Sequence, residues 1–195
     1  GLYTYHYHDG RYADWGDYAR VSALMAIENI NNNDFLGDND RLNMSPENLI
    51  DYHCWPSNAA SMAETLIKKD ILILTGTDCS SPAVEIARIA SKYEIPVISN
   101  GANASSLSIK NDFPWFIRVV TPSEEYDRYL IELASHFNVT EIAYFYTTDA
   151  WGLGAKKVVH KAAKNKNISI KKEFGFKRDT SQTTINKFMQ EVKKS

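Results

Sequence analysis

Short apolar runs that alternate with amphipathic helices set the strongest limit on how this chain can fold. Ile71–Leu74 and Ile95–Ser99 are typical of buried strands, and Ala83–Tyr93 lies between them with apolar residues at helical spacing. A strand, a helix and a second strand in this order form a βαβ unit, whose strands are parallel. The pattern therefore predicts an α/β fold with a parallel, doubly wound sheet.

Further segments continue this alternation on both sides of the unit. Residues 1–120 are predicted to form a first lobe, whose other elements are the helices Tyr12–Asn31 and Asn58–Lys69 and the strands Leu49–Tyr52 and Phe116–Val120. Residues 121–195 repeat the pattern, with strands at Glu141–Tyr146 and Ile168–Phe174 and with helices from residue 123 to Phe137, Gly152–Lys164 and Thr183–Lys194. Because two strands are too few for a complete sheet, we predict that residues 121–195 are the start of a second, truncated lobe.

Composition and charge exclude several classes of function. The formal net charge of -2 gives no basic surface for nucleic acid, and the lysine-rich stretch 156–172 is typical of a solvated helix face. No apolar run reaches the roughly 20 residues of a membrane span, and the first residues do not resemble a signal peptide. We therefore predict a globular region whose only membrane contact runs through segments outside this chain.

Two cysteines and four glycosylation motifs bear on the cellular compartment. Cys54 and Cys79 follow two strands that we expect to be neighbours. Two cysteines are too few for a four-ligand metal site. A disulfide and a pair of free thiols are therefore the two alternatives. Asn-x-Ser/Thr motifs begin at four asparagines, which are Asn43, Asn103, Asn138 and Asn167. We predict an extracellular chain that is glycosylated at all of these positions except Asn103.

The turn after Ile71–Leu74 is a candidate ligand site. In open α/β sheets, ligands bind where a strand leads into a helix, because the first helical N–H groups have no partner within the helix. Pro82 suits the first helical position, which predicts Ser81 at the N-cap and the Ser80 hydroxyl facing outward, in reach of a ligand carboxylate. The alternative is that both serines only cap the helix.

Catalytic motifs are scarce in this sequence. His6 and His8 lie on one face of a predicted strand, an arrangement that metal-dependent hydrolases use for two ligands, but no motif supplies the others. The run WGLGAKK contains two glycines of a dinucleotide-binding fingerprint, with Lys157 at the position of the third glycine. No Gly-x-Ser-x-Gly nucleophile motif is present. We predict that the chain is not an enzyme and needs no cofactor.

Three longer stretches resemble one known family. The runs CSSPAVEIARIASKYEIPVISNGANASSLS, FPWFIRVVTPSEEYDRYLIELASHF and YFYTTDAWGLGAKKV are similar to proteins of the type I periplasmic-binding fold. The resemblance is to the extracellular ligand-binding regions of receptor guanylate cyclases of the natriuretic-peptide-receptor type and of class C G-protein-coupled receptors, and it covers nearly the whole chain. It implies a two-lobed fold in which Cys54 of DYHC and Cys79 of TGTDC are joined.

The resemblance also implies a ligand site built from both lobes. Amino-acid-binding relatives use the turn after the strand Ile95–Ser99, where this chain offers the Gly101 carbonyl and has Asn103 in place of a threonine. A glycan on Asn103 would block such a site, and Trp151 matches a position where relatives place an aromatic ring over the ligand. The implied ligand-binding residues are Ser80, Ser81, Gly101, Ala102, Asn103, Asp149 and Trp151, of which Asp149 is a polar partner or a turn residue.

The function implied by the resemblance is that of an extracellular sensor. A small polar, amino-acid-like ligand would bind between the lobes and close them. A second copy would pack against the first-lobe helices Tyr12–Asn31 and Asn58–Lys69, which gives a homodimer. A solute-binding protein that serves a transporter is the alternative with the same fold. A metal-dependent hydrolase that uses His6 and His8 is the third option.

Overall fold

The computed structural model describes residues 2–4, 7–8, 11–12, 14–33, 35–37, 40–177 and 179–194. Helices alternate with parallel strands along these residues, so the predicted α/β fold class is confirmed. Contacts within the chain divide it into two compact units: unit 1 is residues 1–102 with 110–120, and unit 2 is residues 103–109 with 121–195. Residues 103–109 thus group with unit 2, although they precede the predicted boundary at residue 121.

The sheet of unit 1 has five parallel strands. In sheet order they are β4 (Leu49–Asp51), β1 (Leu2–Thr4), β5 (Leu74–Thr75), β6 (Val97–Ser99) and β7 (Phe116–Arg118). Leu74 pairs with Val97, which pairs in turn with Phe116, and all three side chains are buried. This row of large apolar residues across neighbouring strands forms the centre of the core. A short antiparallel hairpin of β2 (Tyr7–His8) and β3 (Arg11–Tyr12) pairs separately.

Among its described residues, unit 1 has three α-helices, namely α1 (Asp14–Asn32), α2 (Pro56–Ile67) and α3 (Ser80–Ser91). Helices α2 and α3 pack against each other, and most of their buried positions are alanines: Ala59 and Ala63 in α2, and Ala83, Ala87 and Ala90 in α3. The distance between packed helices depends on the side chains at the contact, so these small residues allow a close approach. The larger Leu66 and Ile86 are also fully buried and fill the remaining space.

Strand β5 is shorter than the sequence predicts. The run Ile71–Leu74 is apolar throughout, but pairing with β6 begins only at Leu74, and Leu72 is 84% exposed. Asp70, with φ at 54°, lies in the left-handed region just after α2. Residues 71–73 therefore form a connection between the end of α2 and the sheet. An apolar sequence alone does not tell such a connection from a strand.

The apolar side chains of α1 are largely exposed. Val21, Leu24 and Met25 occur at helical spacing and predict this helix correctly, yet Met25 is 64% exposed and the other two are exposed as well. Unit 1 thus leaves an apolar stripe of α1 on its surface. Across the described parts of the chain, including this 19-residue helix, no helix combines the length and apolarity that crossing a membrane demands.

Cys54 and Cys79 form a disulfide, with their Cα atoms 5.8 Å apart. The chain reaches this position through a tight turn after β4, in which the His53 N–H donates a hydrogen bond to the Asp51 side chain at 2.8 Å. His53 and Cys54 both have positive φ. The expectation that the cysteines follow neighbouring strands was wrong, because β1 lies between β4 and β5. The disulfide therefore links segments that follow strands two places apart in the sheet.

Unit 2 has two parallel strands, β8 (Glu141–Thr147) and β9 (Ser169–Phe176), and three helices, α4 (Ser123–His136), α5 (Ala150–Asn165) and α6 (Gln182–Lys193). These bounds lie within two residues of the predicted ones. Helices α4 and α5 pack together, and their shared core consists of Ile131, Val159, Ala163 and Ile168. Ile142 and Tyr144, two positions apart in β8, and Ile170 in β9 pack against this core.

One extra residue interrupts the pairing of β8 with β9. The successive residues Ile142 and Ala143 pair with residues 170 and 172, so Lys171 is the additional residue of a β-bulge. Beyond the bulge, Glu173 contacts side chains of α5, whereas Phe174 stacks on an aromatic ring of α6. The bulge therefore decides which side chains of β9 meet α5 and which meet α6.

Candidate functional site

Two turns of unit 1 meet at the carboxyl ends of β5 and β6. The Ser99 hydroxyl donates a hydrogen bond to the Thr77 carbonyl, in the turn after β5, and accepts one at 2.8 Å from the Ala102 N–H, in the turn after β6. Ser99, Thr77 and Ala102 are all fully buried. A single hydroxyl thus connects both turns, and it fixes their spacing because a buried polar group is costly to leave without partners.

Gly101 allows these turns to approach each other closely. A Cβ atom at this position would lie 2.9 Å from both the Cα and the carbonyl oxygen of Asp78. These are backbone atoms, so they cannot move aside without changing the turn. Gly101 is one of the predicted ligand-binding residues, and the structure gives it a packing role as well. Its neighbour Ala102, also predicted to contact ligand, is fully buried.

Helix α3 begins two residues earlier than predicted. The Ala83 N–H donates to the Cys79 carbonyl at 3.0 Å, which makes Cys79 the N-cap. Ser80 and Ser81 therefore occupy the first two helical positions, and the prediction of Ser81 at the N-cap was wrong. The N–H groups in the first turn of a helix have no partner within the helix, so a proline there loses no helical hydrogen bond. Pro82 therefore fits the third helical position as well as the first. Both serines still lie at the N-terminus of α3.

Tyr52 binds the turn that leads into α3, a role that sequence reasoning missed. Its side chain is fully buried, and its hydroxyl accepts hydrogen bonds from the N–H groups of Asp78 at 3.1 Å and Cys79 at 3.3 Å. The available signal was a tyrosine at the carboxyl end of a predicted strand, because a buried tyrosine hydroxyl requires a polar partner. The Tyr52 hydroxyl thereby satisfies two main-chain N–H groups just before the N-terminus of α3.

Asp78 is the second residue of this site that sequence reasoning missed. Its Oδ2 atom is buried and has no hydrogen-bond partner among the described residues. Burial raises the pKa of Asp78 to about 6, because the ionised form loses its hydration, and a hydrogen bond from Asn100 opposes this with a smaller effect. Asp78 therefore changes its charge near pH 6, in the turn after β5 and against Gly101 of the turn after β6.

Asp78→Asn should make the protein more stable at pH 8 and leave its stability at pH 4 nearly unchanged. The ordinary pKa of 3.8 applies in the unfolded chain, so the folded state binds the proton more tightly. Stability from this group is fully present below pH 3.8 and is lost as the pH rises through about 6. Two pKa units correspond to at most about 3 kcal/mol, and partial exposure reduces this. Melting temperatures across pH 4–8 test the prediction, with Asp112→Asn as an exposed control; parallel curves for wild type and Asp78→Asn would contradict it.

In unit 2, Asp149 is the N-cap of α5. Its Oδ1 atom accepts hydrogen bonds from the Gly152 N–H at 2.9 Å and from the Thr147 hydroxyl at 2.8 Å. The turn role considered for Asp149 is thus present, and a ligand contact by Asp149 stays a prediction. Trp151 lies in the first turn of α5 and is 41% exposed.

The predicted ligand residues fall into two sets. Ser80, Ser81, Gly101 and Ala102 lie at one edge of the unit 1 sheet. Asn103 belongs to unit 2 with Asp149 and Trp151, is half-buried, and accepts a hydrogen bond at its carbonyl from the Ser123 N–H at 2.8 Å. The unit 1 residues follow the carboxyl ends of β5 and β6, and Asp149 and Trp151 follow that of β8, which is where open α/β sheets bind ligands.

Close packing explains the first of the two glycines of WGLGAKK. A Cβ atom on Gly152 would lie 2.0 Å from the Thr147 carbonyl oxygen, which is a main-chain atom, whereas one on Gly154 would meet only the end of a side chain, the Ser105 hydroxyl oxygen at 2.6 Å. Gly152 therefore has a steric reason that requires no nucleotide. This removes the main support for a dinucleotide-binding interpretation.

An ionic cluster joins α5 to β9. Glu173 forms an ion pair with Lys156 and contacts the Nε2 atom of His160 at 2.5 Å. The hydrogen bond from Lys156 is the main reason that the pKa of Glu173 lies below its ordinary value. Burial, together with the charges of Asp127 and Glu173, raises the pKa of Tyr144 to about 12. Lys156 and His160 both contact Glu173, which fits a role in fixing the helix to the sheet.

The structure gives no support to a metal site in the residues that it describes. No group of three or more His, Cys, Asp or Glu side chains in that part of the chain is arranged to hold a metal ion. Of the two histidines predicted for the hydrolase alternative, His6 lies outside the described residues and His8 lies in β2.

Three receptors illustrate what this chain is similar to. The probable metabotropic glutamate receptor mgl-1 of Caenorhabditis elegans is 27% identical over 145 residues, which are 73% of this chain and 14% of that receptor. Human atrial natriuretic peptide receptor 2 is 34% identical over 79 residues, 40% of this chain and 8% of the receptor. Human taste receptor type 1 member 1 is 27% identical over 101 residues, 51% of this chain and 12% of the receptor.

A family model gives the broader match. Residues 19–195 match the model described as "Receptor family ligand binding region". The match includes both candidate turns of unit 1, the disulfide and all of unit 2, and it starts after the two histidines of the hydrolase alternative. From the extent of this match, the chain belongs to the family of receptor ligand-binding regions.

Proposed function

We propose that this chain is the extracellular sensor region of a membrane receptor and binds a small polar ligand of the amino-acid type. The observation that carries the proposal is the pair of turns after β5 and β6, which the Ser99 hydroxyl joins beside the N-terminus of α3. The family is one of ligand-binding regions, which supports binding rather than catalysis. The disulfide supports an oxidising, extracellular compartment.

A ligand carboxylate would bind at the first turn of α3. Ser80 and Ser81 supply hydroxyl groups there, and the helix dipole favours a negative charge at this end. Asp78 lies next to this position, and its ionised form would repel an anion. We therefore expect an acidic ligand to bind more tightly below pH 6 than above it.

The second lobe would complete the site. Trp151 offers an exposed aromatic surface for a cationic or flat ligand group, and Asn103 offers an amide that both donates and accepts hydrogen bonds. Asp149 would contribute only through the part of its carboxylate that does not cap α5. A ligand that touches both lobes would stabilise their closed arrangement by its differential affinity, and closure would be the signal passed onward.

A thermal-shift screen is the direct test of the ligand class. L-Glutamate and the other amino acids are the first probes, because two relatives are named metabotropic glutamate receptors. At a hundred times its dissociation constant a ligand adds about 2.7 kcal/mol, which is roughly 5–10 °C for a chain of this size. A response to peptides but to no amino acid would move the ligand class towards that of the natriuretic peptide receptors. A response to zinc alone would favour the hydrolase.

Ser80→Ala should weaken binding of the responding amino acid by roughly 5- to 150-fold, since a hydrogen bond to a charged group contributes about 1–3 kcal/mol. The fold should remain intact, because Cys79 rather than Ser80 is the N-cap. Trp151→Ala should also lower affinity. Ser91→Ala, at the opposite end of α3, is the matched control and should bind as wild type does. Calorimetric titrations that give the same dissociation constant for Ser80→Ala and Ser91→Ala would remove Ser80 from the site.

A second copy of the chain would cover the exposed stripe of α1. Tyr18, Val21 and Met25 lie on one side of this helix and are all exposed. Burying such a stripe against its own copy would form a symmetric interface. Sedimentation as a monomer at high protein concentration would contradict the proposed homodimer.

A further inference from the structure

Two glycosylation motifs of unit 2 begin at equivalent positions of the fold. Asn138 directly follows the C-cap of α4 and Asn167 that of α5, and their φ values are 56° and 55°. In both cases the next N–H donates back to the helix, from Val139 to the Ala134 carbonyl at 3.0 Å and from Ile168 to the Ala163 carbonyl at 2.9 Å. This is the Schellman arrangement, in which asparagine is a common substitute for glycine.

Helix termination explains the asparagines but not the hydroxyl residues two positions later. Thr140 and Ser169 complete the motifs, and both side chains are exposed. Neither hydroxyl has a hydrogen-bond partner among the residues that the structure describes. Many residue types could begin β8 or β9. The hydroxyl groups of Thr140 and Ser169 therefore indicate a requirement other than strand formation at these two positions.

The two motifs lie side by side. The Ser169 N–H donates a hydrogen bond to the Thr140 carbonyl at 2.8 Å, and Ser169 pairs with Glu141 at the start of the two strands. Asn138 and Asn167 are both exposed beside this contact. They are separated from Trp151 by the length of β8, whose seven residues span roughly 20 Å.

We propose that Asn138 and Asn167 carry N-linked glycans that jointly cover the edge of unit 2 where β8 and β9 begin. The proposal rests on the extracellular location in the proposed function. The covered edge is partly apolar, since Phe137 is 69% exposed directly before Asn138. A hydrophilic glycan there would shield this ring and keep other chains from the edge. The carboxyl ends of the strands, with Asp149 and Trp151, stay open to ligand.

The modification is a group transfer from a lipid-diphosphate-linked oligosaccharide in the secretory pathway. The side-chain amide nitrogen of each asparagine forms a bond to the anomeric carbon of the first sugar and loses a proton. The bond from that carbon to the diphosphate breaks, and the lipid diphosphate leaves. Asn103 differs from these sites, because it is half-buried between the fully buried Ala102 and Ala104, and it should remain unmodified.

The test uses the whole chain secreted from eukaryotic cells behind a cleavable signal. Thr140→Ala and Ser169→Ala remove the motifs but keep both asparagines, so the helix ends are preserved. Each variant should lose one glycan in its intact mass, and the double variant should lose two. Peptide-N-glycosidase converts glycosylated asparagine to aspartate, so peptide mass spectrometry of wild type should find aspartate at positions 138 and 167. Thr183→Ala, an exposed threonine outside any motif, should keep the glycan mass of wild type.

Two results separate this proposal from the proposed function. A secreted wild type with unmodified Asn138 and Asn167, or a double variant with the full wild-type glycan mass, would overturn the glycosylated edge even if the protein responds to an amino acid. Glycans at both positions in a protein that responds to no ligand would support the edge and count against the proposed function. The double variant should show the same melting shift with L-glutamate, or with whichever amino acid responds, as wild type does.

Discussion

Gly152→Ala should lower the free energy of unfolding by roughly 3 kcal/mol or more, which for this chain length is a fall of about 6–12 °C in melting temperature. The added Cβ would lie 2.0 Å from the carbonyl oxygen of Thr147 and 2.4 Å from its hydroxyl oxygen. Thr147 pairs with Phe176 at the end of β8, so its backbone cannot move without disrupting the sheet. Calorimetry or thermal unfolding by circular dichroism measures the effect.

Gly154→Ala is the matched control for this prediction. Its Cβ would meet only the end of one side chain, the Ser105 hydroxyl at 2.6 Å, and the other atoms of Ser105 are at least 3.8 Å away. Rotation of that hydroxyl relieves the contact, and alanine gains about 1 kcal/mol over glycine within a helix. The two variants should therefore differ widely in stability. Equal melting temperatures would show that the approach of α5 to Thr147 is looser than the structure indicates.

Removal of the disulfide, by Cys54→Ser together with Cys79→Ser, should cost about 3.5 kcal/mol, or roughly 7–14 °C in melting temperature. The bond joins residues separated by 25 positions, and the loop contains all of α2 and β5. The unfolded chain gains freedom when this loop opens, which is the main source of the effect in the chain-entropy model. Thermal unfolding of the double variant measures the loss.

Reduction supplies the control for the disulfide. Dithiothreitol should lower the melting temperature of wild type towards that of the double variant and leave the variant unchanged. Peptide mapping without reduction should recover a linked pair of fragments that contain Cys54 and Cys79. Two thiols that react with an alkylating agent in protein from its native compartment would contradict both the bond and the extracellular location.

The sequence was sufficient for the succession of elements and insufficient for their order in the sheet. Runs such as Glu141–Tyr146 are long and apolar enough to identify a strand, so the bounds in unit 2 were predicted closely. By contrast, β1 is only three residues, Leu2–Thr4, and this is too short for any periodicity. Its insertion between β4 and β5 depends on pairing with distant residues, and this is why the cysteines were wrongly assigned to neighbouring strands.

The candidate site shows the same limit at the level of single residues. Ser80 and Ser81 were predicted as ligand-binding residues because a strand, a polar turn and a proline mark the start of a helix in the sequence itself, and a ligand contact by either stays a prediction. Tyr52 contacts Asp78 from 26 positions away, and no local pattern predicts such a contact. The burial of Asp78 likewise follows from the approach of Gly101 in another turn. Local chemistry thus identified the turn before α3 as a candidate site, whereas the hydrogen bonds around that turn required the fold.

The bulge at Lys171 makes one strand serve two separate apolar layers. Ile168, Ile170, Phe174 and Phe176 all have even numbers, and regular alternation would place them on a single face. With the extra residue, the isoleucines belong to the layer beneath α5 and the phenylalanines to the layer beneath α6. Residues only four positions apart therefore contact different neighbours, so the effects of substitutions in one layer should add to those of substitutions in the other instead of coupling with them.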